Sequence, residues 1–142
     1  MAVEIEPAVP AQFPAVLSFW AAATEVASST DDLDGLTALW QRDPEALLVA
    51  IADGVIVGSL IAAWDGWRAG FYRLAVDPAH RRQGVGRALV AEGESRLGRR
   101  GARRVSLFAI TPHERAVGFW RALGYDPDPL ELRFVKDLTQ SH

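Results

Sequence analysis

The sequence predicts an α/β chain of the α+β kind: a mixed, mostly antiparallel sheet with one parallel βαβ unit and flanking helices. Three observations carry this reading. Two apolar, β-branched-rich runs, Leu47–Ala52 and Val55–Trp64, are separated by Asp53-Gly54, a strong hairpin signal. A second Asp-Gly, at 65–66, joins Trp64 to the run Ala69–Val76, which completes an antiparallel meander. A glycine-opened helix then leads to another β-rich run, Arg104–Ile110. Strand, helix and strand in that order call for a right-handed crossover between parallel strands.

The elements follow in order. Ala2–Ile5 reads as a short first strand. Phe13, Val16, Leu17 and Trp20 recur at i, i+3, i+4 and i+7, one face of a helix. Ser28-Ser-Thr-Asp-Asp offers a turn and an N-cap for a second helix, with Leu33, Leu36, Thr37 and Trp40 on its inner face and Asp43-Pro44 at its end. After Gly84 a helix carries Val85, Ala88, Leu89 and Leu97 inward, gathers Arg96, Arg99 and Arg100 near its end, and stops at Gly101. Thr111-Pro112-His113-Glu114 is a capping box with proline at the first helical position. Ala116, Phe119, Trp120 and Leu123 follow on one helical face, and Gly124 is the stop. Leu130–Leu138 alternates Leu130, Leu132 and Phe134 against Glu131 and Arg133, the pattern of a final strand.

The 142 residues suffice for one domain, 1–142, with a single core, and 49% hydrophobic content with five Trp argues for a packed globule. Cysteine is absent, which excludes disulfides, thiolate metal sites and a Cys nucleophile. No segment reads as a signal peptide or a membrane span, so the expected location is cytoplasmic. The net charge of −3 hides an asymmetry. Residues 1–65 hold ten acidic residues and one basic residue, Arg42; residues 66–142 hold eight acidic and fourteen basic. The basic half would suit an anionic cofactor and the acidic half a cationic amine; the alternative is that Arg is simply the preferred basic residue, Lys136 being the sole Lys, and that most of these charges are solvated. Arg96, Arg99, Arg100, Arg103 and Arg104 cluster, but a negative total and no interleaved aromatics argue against nucleic acid.

The stretch Leu74-Ala-Val-Asp-Pro-Ala-His-Arg-Arg-Gln-Gly-Val-Gly-Arg-Ala-Leu89 concentrates the chemistry. Pro78 ends a strand because it has no N–H for a ladder. Gly84 and Gly86 lack Cβ atoms, so a ligand can approach backbone N–H groups that open a helix and have no intrahelical partners. The helix dipole and Arg81, Arg82 and Arg87 add positive charge there, which makes a phosphate site. A P-loop would need Gly-Lys-Ser/Thr, whereas Gly86 is followed by Arg87-Ala88. A dinucleotide fingerprint would need a small residue where Leu89 stands and an acidic residue about 20 positions on. The bland alternative is a glycine-softened turn beside solvated arginines.

Arg81-x-x-Gly84-x-Gly86 resembles the pyrophosphate-binding signature of the GCN5-related N-acetyltransferases (GNAT), Gln/Arg-x-x-Gly-x-Gly/Ala. Glu114-Arg-Ala-Val-Gly-Phe-Trp-Arg-Ala-Leu-Gly-Tyr125 is similar to that family's late helix. Trp64-Asp-Gly-Trp-Arg-Ala-Gly-Phe-Tyr-Arg-Leu-Ala-Val76 resembles a branch of small bacterial members, the YpeA-type proteins. The resemblance covers nearly the whole chain, least over residues 1–45. It implies the GNAT acyl-CoA N-acyltransferase fold and acetyl transfer from acetyl-CoA to an amine by direct attack. Orientation, a backbone oxyanion donor and an exit for the ammonium proton are then required.

On the same resemblance, Leu74, Ala75 and Val76 would face the pantetheine and thioester, and the amides from Arg82 through Gln83, Gly84, Val85, Gly86 and Arg87, with Arg81 beside them, would hold the pyrophosphate. Phe119 and Trp120 would complete the cofactor side. The family tyrosine often proposed to protonate the leaving thiolate falls at Trp120, whose indole N–H is too weak an acid. The usual Asn at the helix start is His113, and the position of a glutamate base in some members is Phe108. Tyr125, Tyr72 and His113 are the candidate catalytic substitutes, with Asp65 or Glu25 as proton relays. The expected partners are acetyl-CoA and an amine acceptor, without metal, nucleic acid or membrane, and with a homodimer open as the assembly. A non-catalytic acyl-CoA-binding module is the alternative. Gly84→Asp is expected to remove acetyl-CoA binding with stability nearly unchanged.

Overall fold

The computed structural model describes residues 2–23, 28–109 and 114–138. The chain divides into two compact units, Met1–Phe108 and Ala109–His142. The first unit holds β1 (Glu4–Pro7), α1 (Phe13–Ala23), α2 (Leu33–Arg42), β2 (Leu47–Ala52), β3 (Val55–Trp64), β4 (Ala69–Val76), α3 (Val85–Arg99) and β5 (Val105–Leu107). Its sheet runs β1-β2-β3-β4-β5, antiparallel except for the parallel β4–β5 pair. The mixed sheet and single parallel crossover are those expected.

The turns explain the meander. Asp53 and Gly54 both have positive φ, 51° and 76°, as a two-residue type I′ hairpin requires. At the next hairpin, Asp65 Oδ1 accepts from the N–H groups of Trp67 at 2.7 Å and Arg68 at 2.6 Å. Asp32 caps α2 by accepting from the Gly35 N–H at 2.7 Å. The first strand lies two residues later than expected, where Glu4–Pro7 registers against Leu48–Ile51.

Helices cover both sheet faces. Phe13, Val16 and Trp20 of α1 and Leu36 of α2 are buried with Leu47, Val49 and Ala75 in one apolar cluster, which Leu17, Leu39 and Trp40 flank. Leu33 and Thr37 are exposed rather than inward, because the buried stripe of α2 runs through Leu36, Leu39 and Trp40. On the other face α3 buries Val85, Leu89, Val90, Gly93 and Leu97. Ala88 is exposed, since that stripe uses Leu89 and Val90 instead. Each of these large aliphatic side chains is worth roughly 1.5–3 kcal/mol of burial.

β4 is not regular. Its register against β3 shifts between the pairs Ser59–Ala75 and Ile61–Tyr72, so one extra residue is accommodated in β4 opposite Leu60. Arg73 sits in this bulge with φ of +55°. β5 pairs only with Ala69, Gly70 and Phe71, and ends at Leu107. It is shorter than the run Arg104–Ile110 suggested, because β4 bends at the bulge just beyond the last pair; Ile110 lies outside the described residues.

In the second unit, α4 (Glu114–Ala122) ends on Gly124, which has φ of +90°. The Gly124 N–H donates to Arg121 O at 3.0 Å and the Tyr125 N–H to Trp120 O at 3.0 Å, the paired bonds of a Schellman motif. Thr111, Pro112 and His113 of the expected capping box lie outside the described residues, as does Glu25. Residues 131–138 form no strand, contrary to the alternation of Leu130–Leu138. Leu130, Leu132 and Phe134 are more than 80% exposed. Alternation supplies an apolar face, but a strand also needs a ladder partner, and no strand among the described residues ladders with this segment.

Candidate active site

Two features of the first unit adjoin each other in sequence and space. The first is the free side of β4 past Phe71. No strand among the described residues pairs with residues 72–76 on that side. The Asp77 N–H donates to Val57 O at 2.8 Å, so Asp77 and, two residues back, Ala75 turn their backbone groups toward β3. Strand alternation then turns the N–H and C=O groups of Leu74 and Val76 toward the free side.

The second feature is the start of α3. β4 ends at Val76, and Pro78–His80 forms a single 3₁₀ turn. His80 Nδ1 and Asp77 Oδ2 are hydrogen-bonded at 2.6 Å, which fastens that turn. Arg82 and Gly84 then take positive φ, 64° and 83°, and Gly84 is the N-cap of α3. No side chain caps the helix at Gly84, and the first intrahelical bond runs from the Ala88 N–H to Gly84 O at 3.0 Å. The N–H groups of Val85, Gly86 and Arg87 therefore have no intrahelical partner. Arg81, Arg82, Gln83 and Arg87 are exposed around them. A Cβ at Gly84 would meet nothing within 4 Å, so the space above this backbone is open. Left-handed backbone, amides without helical partners and a positive dipole end meet at this turn, an arrangement whose chemistry suits an anion.

The expected cofactor residues thus divide. Leu74, Ala75, Val76 and Arg81 through Arg87 lie along one continuous path, from the free side of β4 to the first turn of α3. Phe119 and Trp120 belong to the second unit, where their rings meet edge to face at 5.1 Å. Tyr125 packs its ring against Trp120 at 5.1 Å in the same unit. Tyr72 is 55% exposed on β4, one residue before the bulge, and its ring lies over Gly70. His113 is outside the described residues. Asp65 occupies the hairpin tip, at the end of β4 away from the bulge. Hydrogen bonds from the Arg68 and Trp67 amides hold its carboxyl below the ordinary range, which makes it a poor base.

Sequence reasoning missed the cluster beneath the bulge. Trp20 Nε1–H donates to Ser59 Oγ at 2.8 Å, and the Ser59 hydroxyl donates to Arg73 O at 2.8 Å. The Arg73 guanidinium pairs with Asp31, with Nε to Oδ1 at 3.0 Å, and lies 5.6 Å from the Trp20 ring centroid. These residues are far apart in sequence, and nothing local predicts a left-handed arginine. One signal was present: Ser59 is the sole polar side chain in the run Val55–Trp64.

A sheet covered by helices on both faces, whose bulged β4 is left unpaired past Phe71 and leads through a tight turn into an uncapped helix start, is the architecture of an acyl-CoA-dependent transferase. The model of the Acetyltransferase (GNAT) family matches residues 13–125. The chain belongs to that family and is an acetyltransferase that uses acetyl-CoA. It is 30% identical over 114 residues to an acetyltransferase of Pectobacterium atrosepticum, covering 80% of this chain and 81% of that one. Its fold matches Ard1 from Thermoplasma volcanium with a TM-score of 0.78 at 23% identity, over 87% of this chain and 82% of that one. It also matches the PaiA N-acetyltransferase from Thermoplasma acidophilum in complex with coenzyme A, with a TM-score of 0.76 at 16% identity, over 91% and 94% of the two chains. Among the described residues no helix is long and apolar enough to cross a membrane.

Proposed function

We propose that this enzyme moves the acetyl group of acetyl-CoA to a primary amine, of a small molecule or a protein, by direct attack. The continuous path from the free side of β4 to the uncapped start of α3 carries this reading. The amides of Arg82 through Arg87 take the pyrophosphate, with Arg81 alongside, and the backbone of Leu74, Ala75 and Val76 takes the pantetheine arm and the thioester oxygen. Phe119 and Trp120 serve the cofactor side. The amine nitrogen bonds to the carbonyl carbon, the C–S bond breaks, and its electron pair leaves on the coenzyme A sulfur. The surplus ammonium proton passes to a base or to solvent, and the thiolate takes up a proton. Tyr72, Tyr125 and His113 are the candidates for those transfers. The acidic residues of the first half of the chain favour a cationic acceptor.

The test is thiol release from acetyl-CoA against polyamines, amino acids, aminoglycosides, aryl amines and short peptides. The chain has no cysteine, so the protein adds no thiol background. Saturable, acceptor-dependent release supports the reading and gives the acceptor class. Binding of acetyl-CoA with no release under any amine contradicts it.

A further inference from the structure

We propose that Ser59 is a positioning residue for acyl transfer: its hydroxyl, held in turn by Trp20, fixes the bulge at Arg73 and so aims the backbone of Leu74 and Val76 at the free side of β4. This rests on the reading that acetyl-CoA lies along that side.

Ser59 is fully buried, and it is the one buried polar side chain among the described residues. A hydroxyl in an apolar strand is tolerated only when its hydrogen bonds are made. Both are made here, and both act on the bulge. The hydroxyl accepts from Trp20 Nε1–H, which leaves its own proton directed at Arg73 O. That carbonyl belongs to a non-glycine residue at φ +55°, a conformation that L-residues disfavour and that persists only where surroundings over-determine it. The other end of Arg73 is held as well, by Asp31 from the turn before α2 and by the face of Trp20. Asp31 is itself tied to that turn, accepting from the Ser28 N–H at 3.1 Å. Trp20 therefore meets both ends of the bulged residue: the carbonyl through Ser59, and the guanidinium through its ring.

The consequence for the site is geometric. A strand without the extra residue would keep the register of Ile61 with Tyr72 through to Val76, and every later side chain and amide would face the opposite way. With the bulge, Leu74 and Val76 present their amides to the free side while Ala75 stays in the core cluster. Ser59 acts on the reaction through Arg73 and Leu74 and touches no reacting atom.

The test compares wild type with Ser59→Ala and with the double variant Trp20→Phe/Ser59→Ala. The double variant leaves no orphaned indole N–H in the core and so keeps the question open should the single variant fold poorly. Two affinities are read by calorimetry: for acetyl-CoA, and for the phosphorylated ADP head group of coenzyme A without its pantetheine arm. The expected result in both variants is acetyl-CoA affinity about tenfold weaker with head-group affinity within about twofold of wild type, because only contacts along β4 have moved. Unchanged acetyl-CoA affinity in the double variant overturns the proposal, as does equal loss for the two ligands. Wild-type amide spectra separate this from a failure of the underlying reading. If acetyl-CoA leaves the Leu74 and Val76 amides undisturbed in wild type, that reading falls and takes the proposal with it.

Discussion

A Cβ placed on Gly93 would lie 2.9 Å from Cε1 of Phe71 and 3.0 Å from Cδ2 of Leu60. Here α3 sits directly on the sheet, at the last β4 residue that pairs with β5. Gly93→Ala gains roughly 1 kcal/mol of helix propensity. It also forces a methyl into filled space, at a cost of typically 1–3 kcal/mol. The rings and branches it meets are buried and cannot swing away, so net destabilisation is expected, read as a lowered denaturant midpoint with unchanged slope.

Gly84 tests the proposed pyrophosphate site. Gly84→Asp places a carboxylate among the orphan amides, and loss of acetyl-CoA binding is expected in calorimetry. The structure revises the expected stability. At φ +83° a side chain costs roughly 1–2 kcal/mol even though nothing crowds it. Gly84→Ala, with the same backbone strain and no charge, is the control: it should share the stability loss and keep more of the affinity.

By the resemblance of its helix to the family's late helix, Trp120 is expected to take the place of a thiolate-protonating tyrosine. If the missing acid limits turnover, Trp120→Tyr raises kcat for thiol release and leaves the acetyl-CoA KM near its original value. The substitution also alters the edge-to-face contacts with Phe119 and Tyr125. A lowered melting temperature with no gain in kcat would assign Trp120 to packing alone.

Asp43 gives the fold a pH dependence. Its carboxyl lies below the ordinary value of 3.8, chiefly because the Arg100 side chain hydrogen-bonds it, against opposing desolvation and with help from the Glu45 amide. A carboxylate with a lower pKa folded than unfolded adds stability above the unfolded value, and loses it as pH falls through the folded one. Wild type should therefore lose stability more steeply below about pH 4 than Asp43→Asn does. The pair is partly solvated, so the difference should be about 0.2–1 kcal/mol and shrink with added salt.

The meander was legible because Asp53-Gly54 and Asp65-Gly66 are local signals, and β2, β3 and β4 have the bounds their apolar runs suggested. The residues proposed for the pyrophosphate were legible as a group for the same reason: the glycines, proline and arginines are contiguous. The bulge was not. Arg73 in a left-handed conformation is imposed by Trp20, Ser59 and Asp31, residues 14 to 53 positions away. β5 is shorter than its apolar run because its length depends on where β4 bends, and a single strand's composition does not encode that. The run Leu130–Leu138 shows the same limit, with a strand-like pattern and no ladder partner among the described residues.

The most direct measurement is an acetyl-CoA titration followed by amide chemical shifts of the wild-type protein. Saturable shifts are expected at Leu74 and Val76 and from Arg82 through Arg87, as one continuous path. Saturable binding that leaves those amides unmoved, or moves a different surface, would contradict the account.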